Sequence, residues 1–171
     1  MEKNFKQTSM ANIENKTFKP LVKWAGGKTR LSSQLIKVVD TVLKLLNLEK
    51  INYYEPFFGG GALFFEVHKN EKIQSAHIND IVLHLVSFYE TIANEKWLDD
   101  FFNEIESLAL TFEQGDKKLV YGSAKENNGW IKEFNDLWFD KYPKTKKEKI
   151  KSAALFFVLN KTGFNGMFRL N

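Results

Sequence analysis

"YYEPFFGGGALFFEV", residues 53–67, is the stretch that decides how this chain folds. It begins inside "INYYEPF", a short run of strand-forming residues closed by Pro56, which cannot donate to a ladder. Gly59, Gly60 and Gly61 follow, and "ALFFEVHK" then takes up helical spacing. A strand that runs through glycines into a helix turns tightly and offers bare backbone near the helix's positive end. The dinucleotide fingerprint Gly-x-Gly-x-x-Gly is met at Gly59 and Gly61, but Phe64 stands where its third glycine belongs. That ring argues against a pyrophosphate-binding nicotinamide enzyme and leaves room for a smaller adenosyl ligand.

The flanking segments extend the pattern. "RLSSQLIKVVDTVLKLL" places Leu31, Leu35, Val38, Val39, Val42, Leu45 and Leu46 at a helical period. "IQSAHIN" reads as a second strand ending near Asp80, and "IVLHLVSFYETIAN" is again helical. The order from 31 to 94 is therefore helix, strand, glycine loop, helix, strand, helix, a β-α-β unit with a parallel strand pair. Asp80 lies at a strand end, where doubly wound folds use a carboxylate to accept hydrogen bonds from ribose hydroxyls. It is also a favoured helix N-cap, here for a helix starting at Ile81. Both roles are compatible.

Before the first helix stands "LVKWAGGKTR", residues 21–30. A phosphate loop requires Gly-x-x-x-x-Gly-Lys-[Ser/Thr], and Val22 occupies the position of its leading glycine. A nucleotide-hydrolysing loop is thereby excluded. What remains is a tight turn through Gly26 and Gly27 that brings Lys28 near Trp24, a pair suited to a ligand with a carboxylate and a flat or apolar part.

Beyond residue 95 the character changes. "EKWLDDFFNEIESLAL", "NGWIKEFNDLWFDKY" and "KEKIKSAALFFVLN" read as amphipathic helices, and no strand is visible. Trp97, Phe101, Phe102, Phe134 and Trp138 are expected to build a core rather than a ligand cage. A lone β-α-β unit is short of a complete open sheet. The first 18 residues read as a flexible polar arm, without the apolar region of a signal peptide.

Bulk properties narrow the classes. With 171 residues the chain has the size of one ordinary domain. It has no cysteine, which removes disulfides, thiolate metal sites and cysteine nucleophiles. His68, His77 and His84 fall on unrelated elements and suggest no metal site. The net charge is +4, mildly basic and compatible with nucleic acid. Lysines gather in "KYPKTKKEKIK", residues 141–151, which is either a solvated face or a phosphate-contacting one. A cytoplasmic location is the default.

"KWAGGKTRL", "YYEPFFGGGALFFEV", "HINDIVLHLVSFY" and "FFVLNKTGFNGMFR", in this order, resemble the adenine-specific DNA methyltransferases of the Dam family, the D12 class. The resemblance runs from about residue 20 to the last residue. It implies an α/β fold: part of a Rossmann-like S-adenosylmethionine-dependent methyltransferase fold with a helical target-recognition insert. Residues 19–94 would then belong to the cofactor-binding part and 95–171 to the helical DNA target-recognition region. By the same resemblance Trp24 and Lys28 would hold the amino-acid end of S-adenosylmethionine, Phe57, Gly59, Gly60 and Gly61 would line its path, and Asp80 would take the ribose. Lys161, Phe164, Asn165 and Arg169, with Asn160 and Asn171 beside them, would approach double-stranded DNA. Those last residues read equally well as a polar turn hinged on Gly163 and Gly166.

The family's catalytic Asp-Pro-Pro-Tyr is absent. Pro20, Pro56 and Pro143 are the only prolines and none are adjacent. The acidic side chain and a proline carbonyl of that motif accept hydrogen bonds from the adenine amine, and its ring stacks on a base flipped out of the duplex. The sequence thus reads as the front portion of a longer enzyme, inactive alone, and either completed by a second chain or a truncated gene product. The alternative is a non-enzymatic DNA-binding or regulatory remnant of the fold.

Overall fold

The computed structural model describes residues 19–27, 29–69, 72–113, 129–139 and 142–163. Helix α1 (Thr29–Leu45) leads into strand β1 (Ile51–Glu55), helix α2 (Ala62–Lys69), strand β2 (Ile73–Ile78) and helix α3 (Leu83–Ile92). A 3₁₀ turn (Glu95–Trp97) opens α4 (Leu98–Glu113), followed by α5 (Trp130–Phe139) and α6 (Lys146–Thr162). Among the described residues the two strands form the whole sheet, and they are parallel, as a β-α-β crossover requires.

Each element follows from its residues. β1 stops one residue before Pro56. Tyr53 and Glu55 point to the covered face, while Tyr54 alternates outward and stacks on His77, its cross-strand partner, with ring centroids 4.8 Å apart. Phe64 accounts for the failed glycine fingerprint. Its ring packs 5.7 Å from both Tyr53 and Phe58, so α2 rides on an aromatic layer instead of closing onto bare backbone.

The main core is helical. Leu85 and Phe88 of α3, Phe101 and Leu108 of α4, Trp130 and Phe134 of α5, and Ile150 to Leu159 of α6 form one buried cluster, joined by Val22 from the segment before α1. This cluster draws on residues from both sides of position 95. Helix α6 is its axis. The segment was expected to be amphipathic, but nearly every side from Ser152 to Asn160 is buried because α3, α4 and α5 all pack against it. Ser152, Ala153 and Ala154 keep its girth small there. The one polar group among them, the Ser152 hydroxyl, accepts a 2.8 Å hydrogen bond from Trp138 Nε1. A capping box starts the helix: the Thr145 hydroxyl accepts from the Glu148 amide, and the Glu148 carboxylate accepts from the Thr145 amide.

One expectation about apolar residues changes. Phe101 and Phe134 are core residues and Trp97 and Trp138 pack against the core, but Phe102 is exposed. In α1 the periodic Leu31, Val38, Val42 and Leu45 are exposed, while Ser32 and Leu43 are buried. Among the described elements α1 packs chiefly on α2, and a two-stranded sheet offers it little more.

Candidate cofactor site

Both strands deliver a carboxylate at their C-terminal ends, where ligands of parallel sheets bind. Asp80 is the better tied. Its Oδ2 accepts a 2.8 Å hydrogen bond from the Gly59 amide and its Oδ1 a 3.0 Å bond from the Val82 amide. The side chain therefore clamps the glycine loop to the end of β2. Helix α3 begins at Leu83 and its N-cap is Val82, with no side-chain cap. The N-cap role for Asp80 is thus corrected: its bond to Val82 turns the chain two residues ahead of the helix. Two charge-assisted bonds of this kind are worth about 1.5–3 kcal/mol each.

Glu55 closes the other strand and is buried. The Tyr53 hydroxyl donates to its Oε2 at 2.7 Å. Burial, that hydrogen bond and the negative charge all push the Tyr53 phenol far above its ordinary pKa, so it remains a donor. Tyr89 is likewise pushed up by burial and by the charges of Asp80 and Glu55, which places its phenol in the field of both carboxylates. Glu55 was not among the expected site residues. Its signal was there to read: a carboxylate before a strand-ending proline, four residues ahead of the first loop glycine.

The glycines have reasons of their own. Gly59 and Gly61 adopt φ +54° and +75°. A Cβ on Gly60 would lie 2.9 Å from the Val22 carbonyl oxygen, and one on Gly61 would lie 2.5 Å from the Phe58 ring. Two of the three positions thus serve the protein's own close packing: Gly60 lets the 20–24 segment lie on the loop, and Gly61 lets Phe58 fold under it. Gly59 faces Trp24, its missing Cβ 3.0 Å from the indole Cδ1. Trp24 itself opens a turn in which the Gly27 amide bonds back to the Trp24 carbonyl at 3.3 Å, with Gly26 at φ +76°.

Between these parts lies a cleft of about 280 Å³ lined by residues that include Trp24, Gly26, Glu55, Phe57, Gly59 and Asp80. Of the expected cofactor residues, Trp24, Phe57, Gly59, Gly60 and Asp80 line it directly. Gly61 is buried behind it against Phe58 and Phe65. Lys28 lies outside the described residues. The donor set suits an adenosyl ligand: carboxylates to accept from hydroxyls, an indole and a phenyl ring for flat or cationic parts, and glycine backbone for close approach. Among the described residues no cluster of metal-ligating side chains occurs, and no helix is long and apolar enough to cross a membrane.

At the far end of α6, Lys161 is exposed, its ammonium 5.3 Å from the Phe157 ring centroid. Asn160 is not at the surface with it. The side chain is fully buried and bonds the backbone of Lys23, with Oδ1 accepting from the amide at 2.9 Å and Nδ2 donating to the carbonyl at 2.8 Å. The idea that Asn160 approaches DNA is corrected accordingly. Phe164, Asn165, Arg169 and Asn171 lie outside the described residues. In the lysine-rich run, Lys146 pairs with Asp100 and Lys151 with Glu104 and Glu133, so part of that charge is spent on holding α6 to α4 and α5.

The chain is similar to known proteins over most of its length. It is 35% identical over 156 residues to the type II methyltransferase M.MjaIII of Methanocaldococcus jannaschii, covering 90% of this chain and 48% of that protein. It is 30% identical to the type II methyltransferase M.CviBI of Paramecium bursaria Chlorella virus NC1A, covering 90% and 46%. A third relative, the DNA N-6-adenine-methyltransferase of Escherichia phage P1, is 28% identical over 88% of this chain and 16% of its own length. The chain thus spans about half the length of the first two relatives. No solved structure matches it. The family profile of the D12 class N6 adenine-specific DNA methyltransferases matches residues 24–171, from the cleft tryptophan to the last residue, and the chain belongs to that family.

Proposed function

We propose that this chain is the cofactor-binding and target-recognition part of a site-specific DNA adenine-N6 methyltransferase that uses S-adenosylmethionine. The observation that carries the reading is the Asp80 clamp. One carboxylate at the end of β2 holds the glycine loop in place beside Trp24 and also lines the cleft, with each oxygen able to accept a further bond, as from a ribose hydroxyl. The parallel β1–β2 pair fits the first half of a Rossmann-like sheet, and the helices beyond residue 95 fit a target-recognition region.

When bound, the cofactor supplies an electrophilic methyl group on a sulfonium. The work of this chain is to hold that group and orient it. Trp24 and Phe57 present ring faces, Asp80 and Glu55 accept hydrogen bonds, and Lys28 is assigned the cofactor carboxylate by its motif. Lys161 is assigned to phosphate contact, with Phe164, Asn165 and Arg169 following it toward the DNA. The Asp-Pro-Pro-Tyr acceptors for the adenine amine are not among the residues of this sequence.

The test has two steps. Calorimetric titration of the purified chain with S-adenosylmethionine is expected to give saturable binding. Transfer of a labelled methyl group to unmethylated DNA is expected to be absent for the chain alone and to appear when a polypeptide carrying Asp-Pro-Pro-Tyr is added. Salt-dependent DNA binding without cofactor binding would instead favour the non-enzymatic remnant. Transfer by the chain alone would show that other acceptors replace the motif.

A further inference from the structure

The geometry points to Asn160 as a positioning residue for the cofactor cleft, acting from the helical core through the backbone of Lys23. The inference rests on the cofactor reading above. Asn160 and Lys23 are 137 residues apart, and the asparagine amide bonds both the N–H and the C=O of that one residue. The planar amide carries on one group both the acceptor and the donor that these two bonds need at a fully buried position.

What the bond holds is the cleft wall. Val22, on one side of Lys23, is buried in the helical core. Trp24, on the other side, faces Phe156 of α6 at 6.2 Å and lies against Gly59 of the clamped loop. The Val22 carbonyl is in near contact with Gly60. Lys23 is therefore the point at which α6 fixes how far Trp24 stands from the glycine loop. The turn beyond it is closed by the Gly27 to Trp24 bond, which stays within the segment and does not reach α6. Releasing Lys23 would remove this backbone tie and let Trp24 shift against Gly59.

Asn160→Asp keeps the acceptor and the volume but sets a carboxylate oxygen against the Lys23 carbonyl. Losing one such bond corresponds to a factor of about 5 to 150 in an equilibrium constant. Titration of the chain with S-adenosylmethionine is expected to show affinity at least about tenfold weaker for Asn160→Asp than for the wild type. Leu108→Ala, a core truncation in α4 away from the cleft, serves as the control for lost stability, and its affinity is expected to stay at the wild-type value.

Wild-type affinity in a folded Asn160→Asp protein would overturn the inference and leave the cofactor reading standing. Equal weakening in Leu108→Ala would overturn it too, since the effect would then be one of general stability. Absence of binding by the wild type would overturn both readings. Should Asn160→Asp not fold, amide hydrogen exchange of the wild type decides: the Lys23 amide is expected to exchange as slowly as the α6 interior, and fast exchange would overturn the inference.

Discussion

The Asp80 carboxylate receives the Gly59 amide across 21 residues of sequence, at 2.8 Å, and with it joins the two strand ends into one site. Around this bond the backbone ladder continues past the strands, with Asn79 donating to Glu55 and Phe58 donating to Asn79, both at 2.9 Å. The glycine loop is thus held from its base and from its tip.

Replacing Asp80 tests this directly. Asp80→Ala leaves the Gly59 and Val82 amides without their acceptor and is expected to destabilise the fold by about 3–6 kcal/mol, at about 1.5–3 kcal/mol for each bond lost. Asp80→Asn retains one acceptor oxygen and should cost less. Chemical denaturation measures the stability, and titration with S-adenosylmethionine is expected to show binding abolished in the alanine variant.

Glycine replacements separate strain from space. At Gly26 a side chain meets nothing within 4 Å, so Gly26→Ala costs only the positive φ, about 1–2 kcal/mol. At Gly61 the same φ penalty is joined by a clash with Phe58, part of the aromatic layer under α2. Gly61→Ala is therefore expected to cost about 1–3 kcal/mol more. Denaturant midpoints that rank the two variants in the opposite order would contradict the loop packing.

Stability should fall on mild acidification because of His84. Its imidazole is half-buried against Trp138, 4.0 Å between ring centroids, and Phe134, and burial lowers its pKa below the usual 6.5. A lowered pKa in the folded state means that the unfolded chain takes up the proton first. The contribution is present above about pH 6.5 and is lost as pH falls through the folded value. Melting curves between about pH 7 and pH 5 are expected to show this decline, and His84→Phe is expected to flatten it.

For the DNA-facing end, Lys161 gives a reading independent of the cleft. Lys161→Ala is expected to weaken DNA binding about equally for all sequences and to reduce the slope of log K against log salt by about 0.9. Lys151→Ala should lower stability instead, since that ammonium is shared by Glu104 and Glu133. Burial opposes its charge, but these two acids more than compensate and raise its pKa. Fluorescence anisotropy across a salt series distinguishes the two variants.

Local patterns were legible along the chain. Pro56 stopped β1, the 62–69 apolar spacing marked α2 to the residue, and Asp80 could be placed at a strand end from position alone. The buried Glu55 was less legible, because a carboxylate next to a proline looks like a surface turn until Tyr53 is seen to donate to it. In α1 the period was legible but the exposure of much of its apolar face was not, since a helical period says which residues share a face and not whether anything covers that face.

What the sequence determined by itself was the set of elements and their order, because hydrophobic period, proline, glycine and turn chemistry act over a few residues. It also carried the motif order that marks the family. The tertiary structure alone decided the commitments made over long separations. Asn160 and Lys23 illustrate the difference: "NKTGFNG" looks like a polar surface turn, yet the first of its asparagines is buried on the backbone of a residue 137 positions away. A side-chain amide bonding to backbone leaves no mark at the partner's position, since every residue but proline offers the same N–H and C=O.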